Sequence, residues 1–195
     1  SLTVGRVQPH EISHHAHAHH PLMAPLSDAS VDRVLDRLLP DEGGRLLDLG
    51  CGRGEWIRRA LSARADLAAV GVDLHPGADP EGFTRDLGGR ARLVEADAAT
   101  WAEGTHDVVL AVGVSHVFGG PGGTLAAARR HLAPGGRVLL GDGIWDLPPT
   151  PAALTALGAT PGEMHGYRGV LGYATLVLAD ARPAASDAAG RRCRS

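Results

Sequence analysis

The feature that most constrains this chain is a series of short, continuous apolar runs, separated by helical or loop segments, between Arg45 and Asp142. The runs occupy residues 45–49, 68–72, 92–94, 108–112 and 138–140. A strand that is apolar along its whole length is covered on both faces, as in a parallel sheet with helices on each side. The sequence therefore predicts an α/β fold with a doubly wound, mostly parallel sheet.

The segments between these runs differ in how clearly they indicate helices. Residues 55–64 and 125–132 have helical spacing of apolar side chains, and the second segment is followed by Ala-Pro-Gly-Gly, which ends a helix and begins a turn. Residues 75–90 contain Pro76, Pro80 and several glycines. We therefore expect mostly loop between the second and third strands.

The chain has 195 residues, which is enough for one domain and rarely enough for two. We predict that this domain covers residues 27–180. It follows a histidine-rich arm at residues 1–26 and precedes a polar tail at residues 181–195, which we expect to be disordered.

Charge and composition exclude several classes of partner. The formal net charge is -3, and no basic patch favours a nucleic acid partner. No apolar stretch of about 20 residues could span a membrane, and we find no secretory signal. The two cysteines, Cys51 and Cys193, are too few for a disulfide framework and are typical of a reducing compartment. We therefore expect a cytoplasmic protein without a membrane partner.

The residues after the first three strands indicate a nucleoside site, because ligands of such sheets lie at the carboxyl ends of the strands. The first strand runs into a turn with Gly50, Gly52 and Gly54, which lets backbone amides approach a ligand. Asp73 follows about 20 positions later, where a carboxylate accepts hydrogen bonds from ribose hydroxyls. Asp97 comes just past the third strand, where it could accept from an adenine amine.

These segments resemble the class I S-adenosylmethionine (SAM)-dependent methyltransferases. The resemblance covers Leu46 to about Asp142 and rests on LLDLGCGRGEW, VGVDL, VEADA, HDVVLAVGVSH and LAPGGRVLLGD, in order and at compatible distances. The flanking segments EISH, APLSDASVDR and GDGIWDLPPTPAAL resemble an uncharacterised bacterial subgroup of these enzymes. The resemblance implies a Rossmann-like methyltransferase fold, SAM as the cofactor and a small-molecule methyl acceptor.

The resemblance also implies roles for residues along the strand ends. The methionine part of SAM would lie on the glycine turn, and Asp48 would hold the turn and help to receive the ammonium group. The residues implied to contact this part of SAM are Asp48, Gly50, Cys51, Gly52, Gly54, Ala111, Val112 and Gly113. On the nucleoside side, Asp73 would bind the ribose, Leu74 would pack on the adenine, and Asp97 and the Ala98 amide would meet its polar edge.

The resemblance says less about the residues that would contact the methyl acceptor. Methyl transfer from a sulfonium is driven mainly by positioning, and it needs a base only if the acceptor must lose a proton early. His116 is the candidate base, with a loop histidine that shapes the pocket as the alternative. Candidate acceptor contacts are Ser13 and His14, if the arm folds over the pocket, together with His116 and Trp145. No metal ligand is required.

Three other functions remain open at the level of sequence. A nicotinamide-dependent oxidoreductase shares the fold, but its glycine pattern needs a glycine where Glu55 stands. The histidines between His10 and His20 could bind a metal, although they lack the spacing of a structural zinc site. A SAM-binding protein without catalysis is the third alternative.

The third alternative arises from the C-terminal part of the chain. Methyltransferases of this class usually continue past the fifth strand with a helix and two more strands, one of them antiparallel. Here residues 171–178 could form a strand or a helix, and the usual hairpin is not recognisable. We therefore expect this hairpin to be missing or altered, with the fifth strand left as an exposed edge. A homodimer is accordingly among the expected partners.

Overall fold

The computed structural model describes Leu22, Ala24, residues 26–145 and residues 171–179. Its helices are α1 (Asp28–Leu38), α2 (Glu55–Ala63), α3 (Pro80–Asp86) and α4 (Pro121–Arg130), with a 3₁₀ helix at Ser115–Phe118. Its strands are β1 (Arg45–Leu49), β2 (Ala68–Asp73), β3 (Ala91–Glu95), β4 (His106–Val112), β5 (Leu132–Trp145) and β6 (Leu171–Ala179). In this part of the chain, no helix is both long and apolar enough to cross a bilayer.

The strands form one sheet in the order β3-β2-β1-β4-β5-β6. Strands β1 to β5 pair in parallel, and β6 pairs antiparallel with β5. The strand order reverses between β1 and β4, so the carboxyl ends of these two strands flank the crevice in which such sheets bind ligands. The predicted fold class, a doubly wound and mostly parallel sheet, is confirmed.

Each face of the sheet has its own apolar core, which explains why the strands are apolar along their whole length. Leu46, Leu110 and Leu139 face the side of α1 and α2. Neighbouring residues such as Leu47 and Val109 face the side of α4. Because successive side chains of a strand point to opposite faces, both sets become buried together.

The expectation that β5 forms an exposed edge is wrong. Strand β6 covers it with an antiparallel ladder that runs from Trp145 opposite Leu171 to Arg137 opposite Ala179. The local sequence of residues 171–178 did not favour a strand over a helix. These residues form a strand because the second half of the 14-residue β5 offers them a pairing partner. The predicted hairpin region is therefore altered, with an antiparallel strand directly beside β5.

The expectation of loop at residues 75–90 is wrong in part, because α3 lies within it. The helix begins after Asp79, whose Oδ1 accepts a hydrogen bond from the Gly82 amide at 2.7 Å. Pro80 occupies the first turn, where a missing N–H costs nothing and the fixed φ favours a helix. Phe83 is buried and holds α3 against the core.

Candidate functional site

The turn between β1 and α2 is bonded to the end of β2. The amides of Gly50 and Cys51 both donate to the Val72 carbonyl, at 2.8 and 3.1 Å. The Gly52 amide donates to Asp73 Oδ2 at 2.8 Å, and the Gly54 amide donates to the Cys51 carbonyl at 2.8 Å. These amides therefore do not stand ready for a ligand, contrary to the sequence-based expectation.

The glycines of this turn are needed for backbone shape and for packing. Gly50, Gly52 and Gly54 have φ values of 76°, 51° and 77°, in the left-handed region that side chains with a Cβ rarely adopt. A Cβ at Gly50 would run into the side chain of Val114, and one at Gly54 would come within 2.6 Å of the Phe83 ring. The protein's own backbone conformation and packing therefore require these glycines, independently of any ligand.

Asp48 is the most unusual group at this edge of the sheet. Its side chain is only 1% exposed, and within the described residues its Oδ2 atom has no hydrogen-bond partner. Burial, and secondarily the charge of Asp73, raise the pKa of Asp48 from 3.8 to about 7. A buried acid that lacks a partner and lies near another carboxylate would be stabilised by a cation.

Asp73 ends β2 beside the glycine turn and is half-buried. Its Oδ2 accepts from the Gly52 amide, and its Oδ1 accepts from the His75 amide at 2.8 Å. Two backbone bonds fix the carboxylate in place, and each oxygen keeps a lone pair for a further donor. Leu74, the next residue, is 56% exposed at this rim, so it presents an apolar surface to the crevice.

Asp97 follows β3, and a backbone bond joins its loop to the end of β2. The Ala96 amide donates to the Asp73 carbonyl at 2.9 Å. The Asp97 side chain is exposed, and its Oδ1 accepts from the Ala99 amide at 2.8 Å, whereas Ala98 is buried. The structure thus places the three predicted carboxylates at the carboxyl ends of three adjacent strands.

The end of β4 forms the other side of the crevice. Ala111 is buried and Val112 half-buried, and the Gly113 amide donates to the Gly141 carbonyl of β5 at 2.7 Å. Gly113 has a φ of 76°, and a Cβ built on it would have no atom within 4 Å. The crevice is therefore open directly beyond β4.

His116 lies on the 3₁₀ helix that follows β4 and is exposed. This helix is tied to the sheet by Ser115, whose amide donates to Asp142 Oδ2 in β5 at 3.2 Å. His116 is thus held at the carboxyl edge of the sheet, just beyond the end of β4.

Cys51 does not serve as a nucleophile here. Burial, followed by the charges of Asp48 and Asp73, raises the pKa of its thiol far above the ordinary value. Its Sγ packs where a Cβ on Gly71 would come within 2.7 Å. Cys51 is therefore a packing residue under the turn.

Some predicted residues lie beyond the reach of the structure. Ser13 and His14 are outside the described residues, as are the arm's histidines, and of Trp145 only the backbone is described, as the end of β5. Within the described ranges, no three His, Cys, Asp or Glu side chains are grouped so as to hold a metal ion.

One residue of this region was missed by the sequence analysis. The hydroxyl of Tyr173, on β6, is buried without a hydrogen-bond partner, and it lies 3.0 Å from the position that a Cβ on Gly141 would occupy. Gly143 pairs with Tyr173 across the two strands, and Gly141 lies two residues away on the same face. Only the pairing register of β5 with β6 reveals this neighbourhood.

The electrostatics of the crevice favour one of two classes of adenosine-containing ligand over the other. A dinucleotide brings a pyrophosphate that needs free amides at the glycine turn. Here the amides of Gly50, Cys51, Gly52 and Gly54 are bonded internally, and the buried acid Asp48 lies just before them at the end of β1. SAM instead brings an ammonium and a sulfonium, together with a ribose and an adenine. The fold and the site resemble those of the class I SAM-dependent methyltransferases.

Comparison with known protein families agrees. The family described as "Methyltransferase domain" matches residues 22–150, and the chain belongs to it. The expected resemblance to SAM-dependent methyltransferases is thereby confirmed.

Several proteins with curated names are similar to this chain. The 27-O-demethylrifamycin SV methyltransferase of Amycolatopsis mediterranei is 35% identical over 68% of this chain and 51% of its own length. A ubiquinone biosynthesis O-methyltransferase of Cereibacter sphaeroides is 35% identical over 57% of this chain and 46% of its own length. The chain thus spans about half of these two relatives. Protein YjhP of Escherichia coli is 31% identical over 87% of this chain and 73% of its own length.

Solved structures show the same fold. A SAM-dependent methyltransferase from Thiobacillus denitrificans, crystallised with S-adenosyl-L-homocysteine, has a TM-score of 0.64 and 29% identity over 76% of this chain and 62% of that chain. The crystal structure of YjhP has a TM-score of 0.65 and 26% identity, with the same coverage of both chains.

The substitution Gly50→Ala tests the shape of the turn. It should lower the free energy of unfolding by about 2–4 kcal/mol, because left-handed strain adds to a collision with Val114. Gly88→Ala is the matched control, since Gly88 has a φ of 63° with no atom within 4 Å of a Cβ, and it should cost only about 1 kcal/mol. Urea unfolding of both variants measures the difference. Equal losses would mean that the contact with Val114 does not restrict this position.

The substitution Asp48→Asn tests the cost of the buried acid. The folded protein keeps a proton on Asp48 up to about pH 7, whereas the unfolded chain loses it near 3.8, so stability falls between these two values and stays low above them. At about pH 8 the variant should therefore be more stable than the wild type by up to about 4 kcal/mol, at about 1.4 kcal/mol for each pKa unit. At about pH 4 the two should differ little.

Thermal unfolding at both pH values measures the effect, with Asp86→Asn, on an exposed residue of α3, as the control. A variant that loses stability at high pH would show that the Asp48 carboxylate has a partner in the free protein.

Proposed function

We propose that this protein binds SAM at the carboxyl edge of its sheet and transfers the methyl group to a small-molecule acceptor. The observation that carries the proposal is the buried Asp48 carboxylate, whose Oδ2 lacks a partner among the described residues, beside a turn whose amides at Gly50, Cys51, Gly52 and Gly54 are already bonded. This combination favours a cationic group in the crevice and disfavours a phosphate. The ligand's ammonium supplies the hydrogen bonds that Asp48 lacks.

The other residues of the edge fit the remainder of SAM. Asp73 is held by two backbone amides in a fixed orientation, suited to two ribose hydroxyls. The exposed Leu74 offers an apolar face for the adenine, and Asp97 stands beyond it as an acceptor for the exocyclic amine. Val112 and Gly113, at the open end of β4, line the methionine part.

When bound, SAM supplies a methyl group that its own sulfonium activates toward nucleophiles. The protein must then orient the two reactants and exclude water. The fixed turn and the bonded strand ends supply the orientation. His116, anchored at the acceptor side through Ser115, accepts the proton of an acceptor that must ionise early.

The acceptor belongs to the proposal as well. Two of the similar proteins are named as methyltransferases that act on oxygen, in rifamycin and in ubiquinone biosynthesis. Hydroxylated small molecules are therefore the acceptors to test first. The buried, free Cys51 fits the cytoplasmic location that we expect.

Calorimetric titration with S-adenosylhomocysteine and NADH tests the binding half of the proposal. The wild type should bind the former and not the latter. Asp48→Asn and Asp73→Asn should each weaken binding by at least about tenfold, since each removes a charged partner worth about 1.5–3 kcal/mol. Asp86→Asn, an exposed carboxylate elsewhere, should bind normally. Tight binding of NADH would overturn the proposal.

The substitution His116→Ala tests the acceptor side. It should lower the rate of methyl transfer to phenols and catechols, followed with methyl-labelled SAM, and leave the affinity for S-adenosylhomocysteine unchanged. If turnover and cofactor affinity fall together, His116 is a structural residue and not a base.

The same assay separates the enzyme from a binding protein. Tight S-adenosylhomocysteine binding with no methyl transfer to any acceptor in the panel would favour a SAM-binding protein without catalysis. Transfer to even one acceptor, absent in Asp48→Asn, would favour the enzyme.

A further inference from the structure

The buried hydroxyl of Tyr173 is a polar group for which the described residues provide no partner. Its Oη atom is shielded from solvent and forms no hydrogen bond with them. Leaving such a group unsatisfied costs about 1–3 kcal/mol, so its position needs an explanation. The proposed roles of Asp48, Asp73 and Asp97 do not supply one.

Tyr173 lies on the same face of the sheet as Asp48. Asp48 is opposite Leu110 in β4, and Val112 is two residues further along the same face. Val112 is opposite Gly141 in β5, which is opposite Thr175 in β6. Tyr173 is two residues from Thr175 and therefore shares that face.

The Tyr173 ring extends from β6 back across β5 toward β4. A Cβ on Gly141 would lie 3.0 Å from Tyr173 Oη and 3.1 Å from Val112 Cγ1, so the hydroxyl and Val112 are neighbours. Neighbouring strands are about 4.8 Å apart, which places the hydroxyl within about 5–10 Å of the line of β1. Asp48 and Tyr173 thus flank the end of β4 from two sides.

These two groups have complementary chemistry. Asp48 is an acid that would be stabilised by a cation. Tyr173 remains protonated, since burial and then the charge of Asp142 raise its pKa, so its hydroxyl donates to an anion. An α-amino acid carries both charges on adjacent positions. With two hydrogen bonds of about 2.8 Å it spans about 8 Å, which is of the same order as the two strand spacings between β1 and β5.

Four amides of the glycine turn are not available to the anionic half of such a group. The amides of Gly50, Cys51, Gly52 and Gly54 all donate to acceptors within the protein. A donor from another element can serve a carboxylate in the crevice. Tyr173 is a buried donor with no other bond, and it lies beside Val112 where the methionine part is proposed to lie.

Resting on the proposed function, we infer that Tyr173 Oη donates a hydrogen bond to the carboxylate of the methionine moiety of SAM, while Asp48 receives its ammonium. Tyr173 is then a cofactor-binding residue contributed by β6, the strand that covers the edge of the sheet. The inference also explains why β5 carries glycine at 141, where a Cβ would come within 3.0 Å of the Tyr173 hydroxyl.

The test compares SAM with decarboxylated SAM, which keeps the amine and lacks only the carboxylate. Calorimetry of Tyr173→Phe should show binding of SAM weakened by at least about tenfold, the loss of one hydrogen bond to a charged group. Binding of decarboxylated SAM should remain within about twofold of the wild type. Asp48→Asn should weaken both ligands, because both carry the amine.

Two further variants make the comparison specific. Thr175→Val removes a hydroxyl from the same strand and face, and it should bind both ligands as the wild type does. Gly141→Ala keeps the Tyr173 hydroxyl but displaces it, since the new Cβ would come within 3.0 Å of Oη, so it should selectively weaken SAM.

The outcomes distinguish the inference from the proposed function. If Tyr173→Phe binds SAM as tightly as the wild type, or loses both ligands equally, the inference is overturned while SAM binding stands. If the wild type binds neither ligand, the proposed function fails together with the inference. Selective loss of SAM by Tyr173→Phe and Gly141→Ala supports the inference.

Discussion

The carboxyl edge of the sheet depends on one constraint, the burial of the Asp48 carboxylate at the carboxyl end of β1. Burial and the nearby charge of Asp73 raise its pKa to about 7, and its Oδ2 has no hydrogen-bond partner. A fold with marginal stability keeps such a group only where it serves another purpose. Under the proposed function, the ammonium of SAM would remove this cost on binding.

The hydrogen bonds of the glycine turn bear on which ligand charge this edge of the sheet favours. In dinucleotide sites a similar turn presents its amides to phosphate. In this protein the amides of Gly50, Cys51 and Gly52 are bonded to the end of β2, through the Val72 carbonyl and the Asp73 carboxylate. The same strand-turn-helix unit thus carries carboxylates at the end of β1 and beside the turn. Under the proposed function, this difference in hydrogen bonding favours a sulfonium nucleoside over a dinucleotide on a shared fold.

Much of the fold and of the candidate site could be predicted from the sequence, because these features depend on local sequence patterns. Continuous apolar runs indicated the parallel strands, and the spacing from the glycine turn to Asp73 and Asp97 indicated neighbouring strand ends. The resemblance to methyltransferases was carried by those same segments, and membership of the family is confirmed. The roles of the individual side chains remain predictions.

The features that could not be predicted depend on long-range pairing of strands, which no local sequence pattern contains. Residues 171–179 become a strand only because β5 is long enough to pair with them. Tyr173 acquires a neighbour in Val112 only through the registers of two strand pairs. The direction of the turn amides likewise depends on the end of β2, about 20 residues away in sequence.

The most direct measurement of the central claim is the number of protons released when S-adenosylhomocysteine binds. Calorimetry in buffers of different ionisation enthalpy gives this number. With a pKa of about 7 in the free protein, Asp48 is half protonated at neutral pH and must ionise to receive an ammonium. The account predicts release of about half a proton per ligand at about pH 7, falling to none in Asp48→Asn. Tight binding of the wild type with no proton release would contradict it.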